Sequence, residues 1–185
     1  MPNPTNFKLK IKFTSLYLQA RFSENAKDEL LKDARKWVTK NIKEEDLQWI
    51  EFSYFDENGY FVPGEQLEMA IYESGKDFKM KAKRNSLHKY LKAMLFITSE
   101  KNYTGKREPD QKLTSYVKRK DGNRVKVIHP AFNSGLEVEF TFELLDPNFS
   151  EVTLKEIIEN AGVKCGLGAR RPKHGRFEVL SLKKI

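Results

Sequence analysis

From Phe7 to Phe13, apolar residues alternate with basic ones: Phe7, Leu9, Ile11 and Phe13 against Lys8, Lys10 and Lys12. A period of two is the signature of a strand with one buried face. The clearest second case spans 136–145, with Leu136, Val138, Phe140, Phe142 and Leu144 on one side and Glu137, Glu139, Thr141 and Glu143 on the other. Between these strands the pattern changes repeatedly. Residues 24–42 place Leu30, Leu31, Ala34 and Val38 at helical spacing behind Ser23 or Asn25 as a cap. Residues 49–54 and 60–62 read as strands of a hairpin around Asp56, Glu57, Asn58 and Gly59. Pro63 and Gly64 break that hairpin and open a helix with Leu67, Ile71 and Phe78 on its inner side. Residues 91–98 read as a short strand and polar 100–112 as a mobile loop; 113–117 with 124–128 make a second hairpin around Asp121 and Gly122. Thr153 and Glu156 have capping-box spacing, predicting a helix with Leu154, Ile157, Ile158 and Ala161 inside. A glycine-rich stretch, 165–175, leads into a last strand, 176–182.

Setting aside an insertion at 14–60 (helix and hairpin) and a basic hairpin insertion at 100–130, the order is strand, helix, strand, strand, helix, strand. That is the split βαβ arrangement. The expectation is one α+β domain over 1–185, a ferredoxin-like antiparallel sheet with two helices on one face. Its topology sets the first strand beside the third, antiparallel. Lys8, Lys10 and Lys12 then share the open face with Glu137, Glu139 and Glu143, and opposite charges across strands stabilise a sheet by roughly 0.2–1 kcal/mol per pair. Carboxylates on that face repel phosphates, which argues against base stacking there.

Charge changes the picture next. The 185 residues carry 34 Lys and Arg against 26 Asp and Glu, a formal +8, unevenly spread. Residues 24–68 hold 12 acids and 6 bases, whereas 69–185 hold 24 bases and 14 acids. A basic part of this kind attracts a polyanion and releases its counterions on binding. The single cysteine, Cys165, excludes a disulfide framework and a cysteine-rich zinc site, and no histidine pair has metal-ligand spacing. No metal or cofactor is expected. The longest aliphatic and aromatic run, Ala93 to Ile97, is too short to span a bilayer, and the N-terminal residues lack the apolar core of a signal peptide. These features predict a cytoplasmic protein without a membrane partner.

The densest cationic segment is the glycine-rich loop. Arg170, Arg171, Lys173 and Arg176 fall within seven residues, with Gly166, Gly168 and Gly175 around them. Glycines let another backbone approach closely, and the guanidinium forks and exposed N–H groups suit phosphate oxygens. The loop follows a helix C-terminus, so the side chains must supply the positive field.

The run 166–179, GLGARRPKHGRFEV, resembles the glycine-rich loop of the RAMP superfamily, the repeat-associated RNA-binding proteins of CRISPR systems. In that family the loop joins the last helix to the last strand of a ferredoxin-like domain. The run 60–71, YFVPGEQLEMAI, is similar to the family's strand-to-helix junction, although Glu65 stands where a Gly or Ser is usual. The resemblance implies RNA binding through the loop. The short chain and Glu65 imply a stand-alone relative, such as one carried by a virus or other mobile element. Relatives of this fold assemble along a strand, which makes a homo-oligomer an open alternative.

Two further basic groups flank the predicted site. Lys83 and Arg84 follow the first long helix, and Lys118, Arg119 and Lys120 sit on the second hairpin with Tyr103 and Tyr116 nearby. The leading reading is a non-catalytic protein that binds single-stranded nucleic acid, RNA favoured, through these cations. A second reading is a metal-independent endoribonuclease using His174 or His88 as general acid and base, as the resembled repeat-processing nucleases do. A third is a protein-interaction or anti-defence factor that uses the acidic, aromatic 24–68 segment. The first two share the basic surface, and the third uses the acidic 24–68 segment.

Overall fold

The computed structural model describes residues 3–21, 48–79, 85–118, 122 and 124–185. The two alternating segments are the central strands. β1 (Thr5–Phe13) pairs antiparallel with β9 (Glu137–Leu144) on one side and β10 (Phe177–Lys184) on the other. β5 (Leu95–Ile97) completes a four-stranded sheet in the order β10-β1-β9-β5. Phe7, Leu9, Ile11, Val138, Phe140 and Phe142 point to its buried side. There they meet Leu67, Ala70 and Ile71 of α2 (Gly64–Ser74) and Leu154, Ile157 and Ile158 of α4 (Glu151–Asn160) in one core. The architecture is α+β with antiparallel sheets.

The open face carries the alternate residues. Lys8 reaches Glu139 and Lys10 reaches Glu137, each at 2.7 Å. Lys12 turns instead to Glu178 on β10, at 3.6 Å, while Glu143 stands opposite Asn6. Two smaller sheets complete the described structure. One runs β2-β8-β7, from β2 (Tyr17–Leu18), β8 (Arg124–Phe132) and β7 (Gln111–Lys118). The other runs β3-β4-β6, from β3 (Phe55–Asp56), β4 (Gly59–Pro63) and β6 (Lys101–Tyr103).

Five local expectations are corrected. Residues 49–54 begin in a helical turn, α1 (Gln48–Glu51), closed by the Ser53 hydroxyl donating to the Trp49 carbonyl at 2.7 Å. Its apolar pair, Trp49 and Ile50, is buried from the turn, so a hydrophobic run without alternation misled the strand reading. Residues 91–98 open as helix: α3 (His88–Met94) buries Leu91 one turn beyond the buried Leu87, and only Leu95–Ile97 is extended. The segment 100–112 is anchored, not a free loop. β6 pairs with β4, and Tyr60 exchanges backbone hydrogen bonds with Thr104 and Lys106. Finally, Ser150, not Thr153, caps α4, its hydroxyl accepting from the Thr153 amide at 3.3 Å. The predicted α2 likewise stops at Ser74, short of Phe78, because α3 packs its Leu91 side chain against Gly75. The helix expected over 24–42 lies outside the described residues.

Candidate nucleic-acid interface

The glycine-rich loop follows α4 through a π-helical turn, Ala161–Cys165. Its backbone is pinned at both ends and along its length. Leu167 donates to the Gly175 carbonyl at 2.8 Å, which closes the loop, and Gly175 donates to Leu16 at 2.7 Å. Ala169 donates to Leu18 at 2.8 Å, Arg176 donates to the Ser15 hydroxyl at 2.9 Å, and Thr14 donates to Arg176 at 2.8 Å. The loop therefore lies along the connection between β1 and β2. Leu167 is fully buried beneath it. At Gly168 an added Cβ would sit 2.3 Å from the Leu18 carbonyl oxygen, so the backbones approach too closely for any side chain. Arg170 takes a left-handed backbone, φ 58°, and the Arg171–Pro172 peptide is cis.

On this frame Arg170, Arg171, Lys173 and Arg176 are all exposed. None of them pairs with a carboxylate among the described residues. The predicted cations are thus gathered on one rigid corner with their charge turned to solvent. Tyr17 links that corner to α2. It packs against Gly168, and its hydroxyl donates to the Gln66 side chain at 3.1 Å in the first turn of the helix. The Pro63 and Gly64 junction itself is occupied by protein: the Gly64 amide donates to Glu100 at 2.9 Å and the Glu68 carboxylate accepts from Ile97 at 3.0 Å.

Lys83, Arg84, Arg119 and Lys120 lie outside the described residues, as does the Lys118 side chain, although its backbone ends β7. A groove of about 560 Å³ lies on the open face of the large sheet, lined by Lys8, Lys10, Ser99, Lys101, Tyr103 and Thr141 among others. None of the glycine-loop residues lines it, so this groove is not the cleft expected beside the loop. Its β6 wall was hidden in a segment read as loop.

The histidines divide the same way. His88 Nδ1 donates to the Tyr72 carbonyl at 2.7 Å, which fixes that ring as a brace between α3 and α2. His174 is half-buried in the loop; burial, then Lys173 and Arg170, holds its pKa below the usual 6.5. No hydrogen bond joins it to His88. His129, which sequence reasoning left unassigned, is buried with Nδ1 donating to the Gln19 carbonyl at 3.0 Å. Burial pushes its pKa down and the Arg170 charge pushes the same way, against the hydrogen bond to Gln19. A histidine held neutral in the fold contributes stability that is present above its unfolded pKa and lost as pH falls below it. The urea midpoint is therefore expected to drop as pH falls below about 6.5, and His129→Gln to flatten that slope. An unchanged slope in the variant would remove His129 as its source.

Among the described residues no helix is long and apolar enough to cross a membrane. No family model and no curated protein matches the chain. Solved structures do match. One is a chain in the cryo-electron-microscopy structure of the type III-B Cmr-beta bound to cognate target RNA, at 14% identity and a TM-score of 0.56. The match covers 98% of this chain but only 61% of the other, and at that identity what the two share is the fold.

Proposed function

We propose that this protein is a non-catalytic binder of single-stranded nucleic acid, with RNA preferred, and that Arg170, Arg171, Lys173 and Arg176 hold the phosphate backbone. The observation that carries this reading is the loop itself: four solvent-turned cations on a backbone fixed by hydrogen bonds to residues 14–18. A preset backbone loses little conformational freedom on binding, and charge-assisted bonds from guanidinium to phosphate are strong and directional. Supporting it are the sheet order β10-β1-β9-β5, which matches the strand order of a ferredoxin-like domain, and the fold shared with a chain of an RNA-bound Cmr-beta. Both fit a single RAMP-like domain.

Titrating a labelled single-stranded RNA at salt concentrations from about 50 to 200 mM tests the reading. Affinity is expected to fall linearly on a log–log scale, by about 0.7 per phosphate neutralised. Arg170→Ala combined with Arg171→Ala is expected to weaken binding by about tenfold and to reduce the slope by about 1.4. A flat salt response, or wild-type affinity in the double variant, overturns it. The same titration with DNA of equal sequence tests the preference for RNA.

A further inference from the structure

The small β3-β4-β6 sheet has one face turned into the core, where Tyr60, Val62 and Asn102 are buried. The outer face of such a sheet is ordinarily polar. Here it carries aromatic rings in a lateral row. Phe61 on β4 is the cross-strand partner of Tyr103 on β6, and on its other side its amide donates to the Tyr54 carbonyl at 3.0 Å. Residues directly opposite across strands share a face. The ring centroids follow one another along the row, Tyr54 to Phe61 at 6.0 Å and Phe61 to Tyr103 at 6.0 Å, with successive ring planes turned by 57° and 69° so that each ring presents its own face. Tyr54 and Phe61 are half-buried, and Tyr103, at the open end, is 40% exposed.

Positive charge accompanies the rings. The Lys101 ammonium lies 5.2 Å above the Phe61 ring, and Arg21 bears on Tyr54. Arg107 holds the turn at the far end through the Glu57 carbonyl. Of the carboxylates nearby, Asp56 is already engaged by Lys101 and by the Tyr103 hydroxyl, and Glu65 bears on Tyr54. Gln66 holds the Tyr54 pKa down against burial and receives the hydrogen bond from Tyr17, the buried ring packed against Gly168, so the row and the loop are linked through the protein interior.

From this row of rings with flanking cations we infer that Tyr54, Phe61 and Tyr103 form a base-stacking platform for the strand whose phosphates the loop holds. The inference rests on the nucleic-acid reading above and adds where the bases go. Every base has a π-face, so such a platform takes an unpaired strand with little regard to sequence. A duplex keeps its bases stacked on one another and is refused.

Tyr103 is the ring to change, being exposed and at a strand edge. Tyr103→Ala is expected to weaken binding of single-stranded RNA by about tenfold while leaving the salt slope at its wild-type value. Tyr103→Phe, which keeps the ring and removes only the hydroxyl's bonds to Asp56 and Asn58, is expected to bind as wild type. An abasic strand of the same length is expected to bind wild type and Tyr103→Ala equally. If Tyr103→Ala loses as much affinity for the abasic strand as for RNA, or none for RNA while the arginine double variant still weakens it, the platform is wrong and the loop reading stands. If the wild-type protein shows no salt-dependent binding at all, both fall.

Discussion

Gly175→Ala is expected to lower the melting temperature by about 6–12 °C, corresponding to roughly 3 kcal/mol of lost stability. Two independent effects act at this position. Its φ is +76°, where an L side chain is strained by about 1 kcal/mol or more. Its Cβ would also lie 1.7 Å from the Leu167 carbonyl oxygen and 2.8 Å from the Leu167 nitrogen. Those are backbone atoms, and the Leu167 amide is bonded to the Gly175 carbonyl at 2.8 Å, so neither side can move without opening the loop. Opening it would break the Gly175 bond to Leu16 and expose Leu167. Gly105→Ala separates the two effects: its φ is +73°, but nothing lies within 4 Å of the added carbon, so only the strain remains. Calorimetric melting of both variants checks the account, and equal shifts would show that the close approach to Leu167 does not matter. The nucleic-acid reading proposed above further predicts that RNA affinity falls in Gly175→Ala even where the protein remains folded, because the four cations lose their common frame.

What the residue pattern made legible follows from where the physics is local. The alternation in β1 and β9 predicted both strands and their buried faces, and the split βαβ order predicted that they pair, which buries Phe7, Leu9, Phe140 and Phe142 together. It also predicted that Lys8 and Lys10 would answer to glutamates, as they do. The cationic loop was visible because its charges are contiguous in sequence. The register of the Tyr54–Phe61 hairpin was within reach too, given the two-residue turn at Glu57 and Asn58. Tyr103 was not, because polar β6 residues with Gly105 and Pro109 nearby read as a loop. Its strand character comes from β4, which supplies the partners. Short apolar runs were the weak point: around Trp49 and Leu91 periodicity alone did not distinguish a buried helical turn from a strand, and tertiary packing decided.

Gln19→Leu is expected to destabilise the fold by at most about 2–6 kcal/mol, since a near-isosteric apolar side chain would strand two partly buried backbone groups at up to about 1–3 kcal/mol each. The side chain is wholly buried and stands inside a strand pair. An antiparallel hydrogen-bonded pair normally exchanges two bonds. Phe61 donates to Tyr54 directly, but the return bond runs through the Gln19 amide: Tyr54 donates to Oε1 at 2.7 Å, and Nε2 donates to the Phe61 carbonyl at 2.9 Å. The backbone of Gln19 meanwhile donates to Pro130 at 3.1 Å and accepts from His129, so one residue ties the β7–β8 hairpin to the sheet that carries the aromatic row. Gln19→Glu makes a sharper variant. A carboxyl there can accept from Tyr54 in either form, but only its protonated form can donate to the Phe61 carbonyl. Burial next to a carbonyl raises its folded pKa above the unfolded value of about 4.3. Its stability should therefore be fullest below that value and decline as pH rises towards the folded pKa, a slope Gln19→Leu would lack. Urea unfolding from acid to neutral pH reads the difference, and parallel profiles for the two variants would show that the amide bridge is not what joins Tyr54 to Phe61.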